Sequence, residues 1–219
     1  MSVQLLLIED DQAYQLAMAS HLRQLPQVTR VSVASDGEEG LSLIQQERVD
    51  LVLLDLVLPG MGGLATCRHI TSSSAVPVLI LTSQDDPEWV QQIWQAGACG
   101  YLHKERGFEQ VEMALTSLMT GASWWDHKAT AALRSSSGSS AAHSHEQARQ
   151  LGTLTARERD VLACIAEGDD NRTIAQRLGI GEGTVRSHVH VLLQKLQVNN
   201  RTQAALLWLA ARPGREKPR

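Results

Sequence analysis

The sequence predicts an α/β fold, a parallel sheet wound by helices on both faces, followed in the same chain by a small all-α unit of four helices. Three observations predict it. Five short apolar segments alternate with amphipathic ones before the chain reaches position 121. The tract Ser135–Ser144 then offers only Ser, Gly, Ala and His, with nothing to build a core. Beyond it the apolar period becomes helical, and 154–209 contains no credible strand.

The strand candidates are Val3–Ile8, Arg30–Ala34, Asp50–Leu54, Val76–Leu81 and Gly100–Leu102. They are apolar throughout rather than alternating, as strands covered on both faces are. Helices are expected near 12–25, 37–47, 62–72, 87–96 and 107–120, the fourth stopping at Gly97. After the tract, helices are expected near 156–167, 171–178, 182–196 and 200–210. Thr155 with Glu158 forms a capping box at the first of these, Gly168 closes it, and Asp170 caps the next. The domain reading is therefore 1–125, a flexible linker over 126–150, and 151–219.

Composition narrows the function. Apolar residues make up 43% of the chain, ample for real cores, and the longest apolar runs, such as Val49–Leu58, carry acids and are too short to span a bilayer. The N-terminus lacks the basic and apolar regions of an export signal, so a cytoplasmic location is expected. Cys67, Cys99 and Cys164 have no metal-ligand spacing and read as buried hydrophobes in a reducing compartment. His143 and His145 read as linker residues. The net charge of -4 hides a split: residues 1–150 carry 9 Lys/Arg against 17 Asp/Glu, residues 151–219 carry 11 against 7. The second region is thus the one suited to a polyanion.

In open parallel sheets, functional groups gather beyond the carboxyl ends of the strands. The first strand candidate runs into Glu9-Asp10-Asp11, the third into Asp55 and the fourth into Thr82-Ser83, and Lys104 follows the fifth. Crowded carboxylates need a cation, and all-oxygen ligation favours Mg2+. Lys104 and Thr82 would hold the oxygens of a phosphoryl group carried by Asp55. The plainer alternative is that acids at strand ends only start turns.

These segments, LLLIEDD, LVLLDLVLPGMGG, LILTS and GYLHK, resemble the receiver domains of bacterial two-component response regulators over about residues 3–121. The resemblance implies a CheY-like sheet of order 2-1-3-4-5, with Asp55 the phosphoacceptor and Glu9, Asp10 and Asp55 the Mg2+ ligands. It makes Thr82 the switch hydroxyl and Lys104 the phosphate-binding lysine. Tyr101 is either a switch aromatic or a core residue at the sheet edge. Relatives usually follow the lysine with proline; here Glu105 follows, and since a non-proline cis bond costs about 3 kcal/mol, a trans bond with a slightly different aim for Lys104 is expected.

In the C-terminal region, NRTIAQRL, a glycine turn at Gly179 and EGTVRSHVHVLLQKL form helix, turn, helix. Ile174, Ala175 and Leu178 would face inward on the first, Val185, Val189, Leu192, Leu193 and Leu196 on the second, with Ile180 tucked between. Spacing alone also fits a generic helical unit. The strings LTARERDVLACIAEG, NRTIAQRLGI and GTVRSHVHVLLQKLQVNNRTQA resemble the LuxR-type DNA-binding domain of NarL/FixJ response regulators over about 151–211. The resemblance implies DNA contacts by Thr184, Arg186, Ser187, His190 and Lys195. His188 reads as packing or as base contact; His190 and Gly181 depart from the family's usual basic residue and serine. Leu206, Leu207 and Trp208 make the last helix a candidate dimer surface or ordinary core, and Arg212–Arg219 a solvated basic tail.

The expected function is a phosphorylation-controlled, sequence-specific regulator of transcription, not an enzyme. Its partners would be double-stranded DNA, a sensor histidine kinase or phosphotransfer protein, and a second copy of itself when active. The rival readings are a regulator that is never phosphorylated, left open by Glu105, and a Mg2+-dependent phosphohydrolase, disfavoured by the appended DNA reader.

Overall fold

The structure, a computed structural model, describes residues 2–84, 87–125, 129–130, 151–198 and 200–210. The Ser-rich tract with His143 and His145, and the tail Arg212–Arg219, lie outside the described residues. The chain divides into two compact units, Met1–Ser137 and Gly138–Arg219.

In the first unit strands and helices alternate: β1 (Val3–Ile8), α1 (Gln12–Arg23), β2 (Val28–Ala34), α2 (Gly37–Gln46), β3 (Leu51–Asp55), α3 (Gly63–Ser73), β4 (Val78–Thr82), α4 (Pro87–Gln95), β5 (Gly100–His103) and α5 (Lys104–Met119). All pairings are parallel, in the order β2-β1-β3-β4-β5. Side chains alternate across a strand, so each face has its own core. Leu5, Leu7, Leu51, Leu53, Leu79 and Leu81 pack with Met18, Leu22, Val111 and Leu115 of α1 and α5. Leu6, Ile8, Val52, Leu54, Val78 and Ile80 pack with Cys67, Ile70 and Ile93 of α3 and α4. Both faces are covered, which is why the strands read as unbroken apolar runs.

Several boundaries differ from expectation, some of them for an evident local reason. β4 starts at Val78, not Val76, because Pro77 has no N–H for the ladder; its carbonyl still accepts from Val52 N–H at 3.0 Å. β3, β4 and β5 each run one residue further, so Asp55, Thr82 and His103 are the last residues of strands. α5 starts three residues early, at Lys104, because His103 caps it, its Nδ1 accepting from Glu105 N–H at 3.4 Å. The Lys104–Glu105 peptide is trans, as expected.

The segment after α5 returns to the sheet. Trp124 bridges Gly100, donating to Cys99 O at 3.1 Å and accepting from Tyr101 N–H at 3.0 Å. Trp124 packs on the α1/α5 core, and Trp125 packs on the other, edge-on to Trp94 at 5.5 Å.

The second unit consists of α6 (Ala156–Ala166), α7 (Asn171–Leu178), α8 (Glu182–Leu196) and α9 (Arg201–Ala210) among the described residues. The capping box at Thr155, the Asp170 cap and the left-handed glycines Gly168 and Gly179 all form as expected. Val161, Leu162, Ile165, Ile174, Val185, Leu192, Leu196 and Ala204 build the core.

Gly63 opens α3 directly under the phosphoacceptor candidate: a Cβ there would stand 2.0 Å from Asp55 O and 2.7 Å from Leu56 O. These are backbone atoms, so the clash cannot be relieved by a rotamer. Gly63→Ala is expected to destabilise the first unit by about 1–3 kcal/mol, measured as a lower urea midpoint at unchanged slope.

Candidate functional site

The carboxyl ends of β1, β3 and β4 deliver Glu9, Asp55 and Thr82 to one edge, and the start of α5 adds Lys104. Glu9, Asp55 and Thr82 are buried, Asp10 is exposed. One carboxylate oxygen from each of Glu9, Asp10 and Asp55 lies within 4.8 Å of the others. Asp11 stands apart: its side chain accepts from Ala13 and Tyr14 N–H at 2.9 and 3.1 Å as the N-cap of α1. Glu9 and Asp10 thus cluster with Asp55, while Asp11 caps α1.

Lys104 Nζ donates to Asp55 Oδ2 at 3.0 Å and to Glu9 Oε1 at 2.9 Å. It also lies 2.7 Å from Glu9 Oε2, too obliquely for a hydrogen bond, so that buried oxygen has an ionic neighbour only. Burial, with Asp55 beside it, pushes the Glu9 carboxyl above its ordinary value despite the pull of Lys104. Burial alone would lower Lys104, yet its hydrogen bonds to Glu9 and Asp55 prevail and its pKa is raised. Three carboxylates thus face one ammonium. That imbalance, with all-oxygen donors and one exposed ligand, suits a hard divalent cation. The Thr82 hydroxyl accepts from Gln84 N–H at 3.0 Å, and Tyr101 lies in the core with Ile80 and Val90, turned inward.

In the second unit, Gly179 turns α7 into α8. Gly181 caps α8 without a side-chain hydrogen bond, so the exposed first turn keeps unsatisfied N–H groups beside Thr184. Arg186 and Ser187 are exposed and His190 half-buried, Ser187 Oγ donating to Gly183 O and His190 lying 3.2 Å from Gln194 Nε2. His188 is half-buried. Lys195 has a partner within the unit. Its ammonium is held by both oxygens of buried Glu158, at 2.7 and 2.8 Å, and Glu158 in turn accepts from Thr155 N–H at 2.8 Å. The ion pair joins the capping box of α6 to the last turn of α8. Leu207 is also turned inward, at 8% exposure, and Trp208 packs against the core, whereas Leu206 and Leu209 are exposed. Of the three candidate residues on α9, Leu206 is the exposed one.

Residues 5–116 match the response regulator receiver domain, and residues 152–208 the LuxR family of bacterial regulatory proteins. The chain is 33% identical over 205 residues to the transcriptional regulatory protein LiaR of Bacillus subtilis (strain 168), covering 93% of this chain and 95% of that one. It is 34% identical over 203 residues to the nitrate/nitrite response regulator protein NarL of Escherichia coli (strain K12), covering 92% and 93%. The chain belongs to the NarL/FixJ-type response regulators. Its fold is shared with the response regulator ChrA of a heme-sensing two-component system, at 29% identity and a TM-score of 0.52, covering 95% and 97% of the two chains. No helix among the described residues is long and apolar enough to cross a membrane.

In this response regulator two site features escaped sequence reasoning. Glu158 was read only as a capping residue; its partner lies 37 positions away, and no local pattern links them. Tyr14, whose ring lies beside Lys104, read simply as one position of an amphipathic helix.

Burial would raise the Glu158 carboxyl, but its hydrogen bonds to Lys195 and Thr155 hold it below its ordinary value of 4.5. A depressed carboxyl stabilises the fold above its unfolded pKa, and that contribution disappears as pH falls through the folded value. Amide exchange in α6 and α8 should therefore be faster in Glu158→Gln than in the parent near pH 7, with the difference closing below pH 4.5.

Proposed function

We propose that this response regulator is a phosphorylation-controlled, sequence-specific DNA-binding regulator of transcription, with residues 1–125 as phosphoacceptor domain, 126–150 as tether and 151–219 as DNA reader. The observation that carries the reading is the buried Asp55 carboxylate, bonded to Lys104 at 3.0 Å and clustered with Glu9 and Asp10. A partner histidine kinase or phosphotransfer protein supplies the phosphoryl group. An Asp55 oxygen forms the new O–P bond as the N–P bond of a phosphohistidine breaks, and the freed imidazole nitrogen takes a proton from water. Glu9, Asp10 and Asp55 would hold Mg2+, which when bound offsets charge on the phosphoryl oxygens.

The chain's own residues do the rest. Lys104 gives a hydrogen bond now made to Asp55 to a phosphoryl oxygen. Thr82 turns its hydroxyl from Gln84 N–H towards the same group, and the space it leaves is filled by movement of Tyr101, two positions along the neighbouring strand pair. Hydrolysis by water returns the free carboxylate. The domain assists only its own phosphorylation and dephosphorylation and turns over no external metabolite. A DNA-binding regulator that takes its phosphoryl group from a phosphohistidine protein works in the cytoplasm, and membership of the LuxR family supports that location.

In α8, Arg186, Ser187 and His190 face the major groove, and Thr184 with the open first turn meets a phosphate. Lys195 positions α8 through Glu158 instead of meeting DNA. Activated chains pair through α9, with Leu206 at the contact.

Two measurements test this reading. A small phosphodonor with Mg2+ should add one acid-labile phosphoryl group, absent in Asp55→Asn; equal labelling of the variant would refute the assignment. Arg186→Ala should weaken binding to the target site by about 1–3 kcal/mol, seen in fluorescence anisotropy as a loss of preference for target over random DNA.

A further inference from the structure

Tyr14 takes no part in the chemistry above, yet it meets Lys104 on two sides. Its ring lies beside the ammonium, with Nζ 4.8 Å from the centroid, well inside the range of a cation–π contact. Its hydroxyl donates to the Lys104 carbonyl oxygen in a long bond of 3.5 Å. Phe108, one turn along α5, meets the ring edge-on at 5.6 Å. The facing helix leaves room for this ring: a Cβ at Gly107 would stand 2.7 Å from the Tyr14 hydroxyl and 3.2 Å from Met18 Cε. The register of α1 sets the ring's place, because Asp11, the acid next to the metal-site pair, caps the helix through Tyr14 N–H. Burial, and then the charges of Glu9 and Asp55, push the phenol well above its ordinary value, so the hydroxyl stays a donor.

We propose that Tyr14 is the positioning residue that holds Lys104 for phosphoryl binding, a role that rests on the reading of Asp55 as phosphoacceptor. Lysine is a point charge on a flexible four-carbon stem, and its head must be in place before the phosphoryl oxygens arrive. Glu9 and Asp55 hold that head in the resting site. Once Asp55 carries a phosphoryl group, one of those two anchors has changed identity. The ring face of Tyr14 does not change, so it keeps the ammonium at the mouth of the site while its hydrogen bond passes from Asp55 to the new oxygen. No proline stiffens the residue after Lys104; the stem is held by the first turn of α5 and by the tyrosine under it.

The test uses the full chain and three variants: Tyr14→Leu, Tyr14→Phe and Gly107→Ala. The readouts are the rate of acyl-phosphate formation from acetyl phosphate, the affinity for trifluoroberyllate with Mg2+ saturating, and the affinity for Mg2+ alone. Tyr14→Leu should slow labelling and weaken trifluoroberyllate binding roughly three- to tenfold, with Mg2+ affinity changed by less than about twofold. Tyr14→Phe should restore most of the loss, since the ring face returns. Gly107→Ala should impair labelling in the parent and less so combined with Tyr14→Phe, because the colliding hydroxyl is then gone. If Tyr14→Leu does not fold, this pairing decides. Parent-like labelling by Tyr14→Leu, equal losses of Mg2+ and trifluoroberyllate affinity, or no restoration by Phe would each overturn the role. A parent chain that takes no label from any donor, with Mg2+ bound, overturns the phosphoacceptor reading and the role of Tyr14 with it.

Discussion

Asp55 ends β3 and Glu9 follows the last residue of the neighbouring β1, and the parallel register of the two strands brings both carboxylates into one buried corner. Ionised side by side away from water, they would repel strongly. The Lys104 ammonium between them makes the corner tolerable, and it comes from the far edge of the sheet, 95 positions from Glu9. Much of the first unit follows from this need. β5 must lie next to β4 so that α5 can start at the right height, Gly63 must let α3 approach the Asp55 carbonyl, and His103 must open α5 early enough to place Lys104 at its first turn. One cation against three carboxylates also leaves the corner short of positive charge, an imbalance that suits a hard divalent cation.

The second unit solves a similar problem more quietly. Glu158 is buried at the start of α6, where two Thr155 contacts and Lys195 satisfy it. A buried acid with a single well-placed partner fixes geometry more than it adds stability. Here the geometry fixed is that of the helix carrying Arg186 and Ser187. The exposed face that carries Arg186 and Ser187 thus owes its orientation in part to an ion pair made elsewhere on the same helix.

Much of this was legible in the residue string because strand ends are punctuated. Glu9-Asp10, Asp55, Thr82 and Lys104 each follow an apolar run, and only a parallel sheet brings such ends together. The helix-turn-helix was legible for a related reason, since Gly179 interrupts two clear helical periods. What resisted reading depended on contacts across the fold. Lys195 sits at a position that looks solvent-facing in its own helix, and only the packing of α6 shows its partner. On α9, adjacent leucines differ by one step of the helical wheel, so which of Leu206 and Leu207 faced out turned on a rotation that periodicity in a ten-residue helix does not resolve. Gly107 lies at the expected start of α5, yet the helix opens three residues earlier. It is an interior residue kept small by the tyrosine opposite.

The return of Trp124 to β5 has a consequence of another kind. An open sheet ends in a row of unpaired peptide groups, which can template pairing with a foreign strand. Here Trp124 occupies the peptide groups of Cys99 and Tyr101, and two indoles close over the border from opposite faces. The segment that follows α5 is thus also the seam that closes the sheet at β5. Loosening it would expose a sticky margin, so guarding against misassembly falls to these few residues.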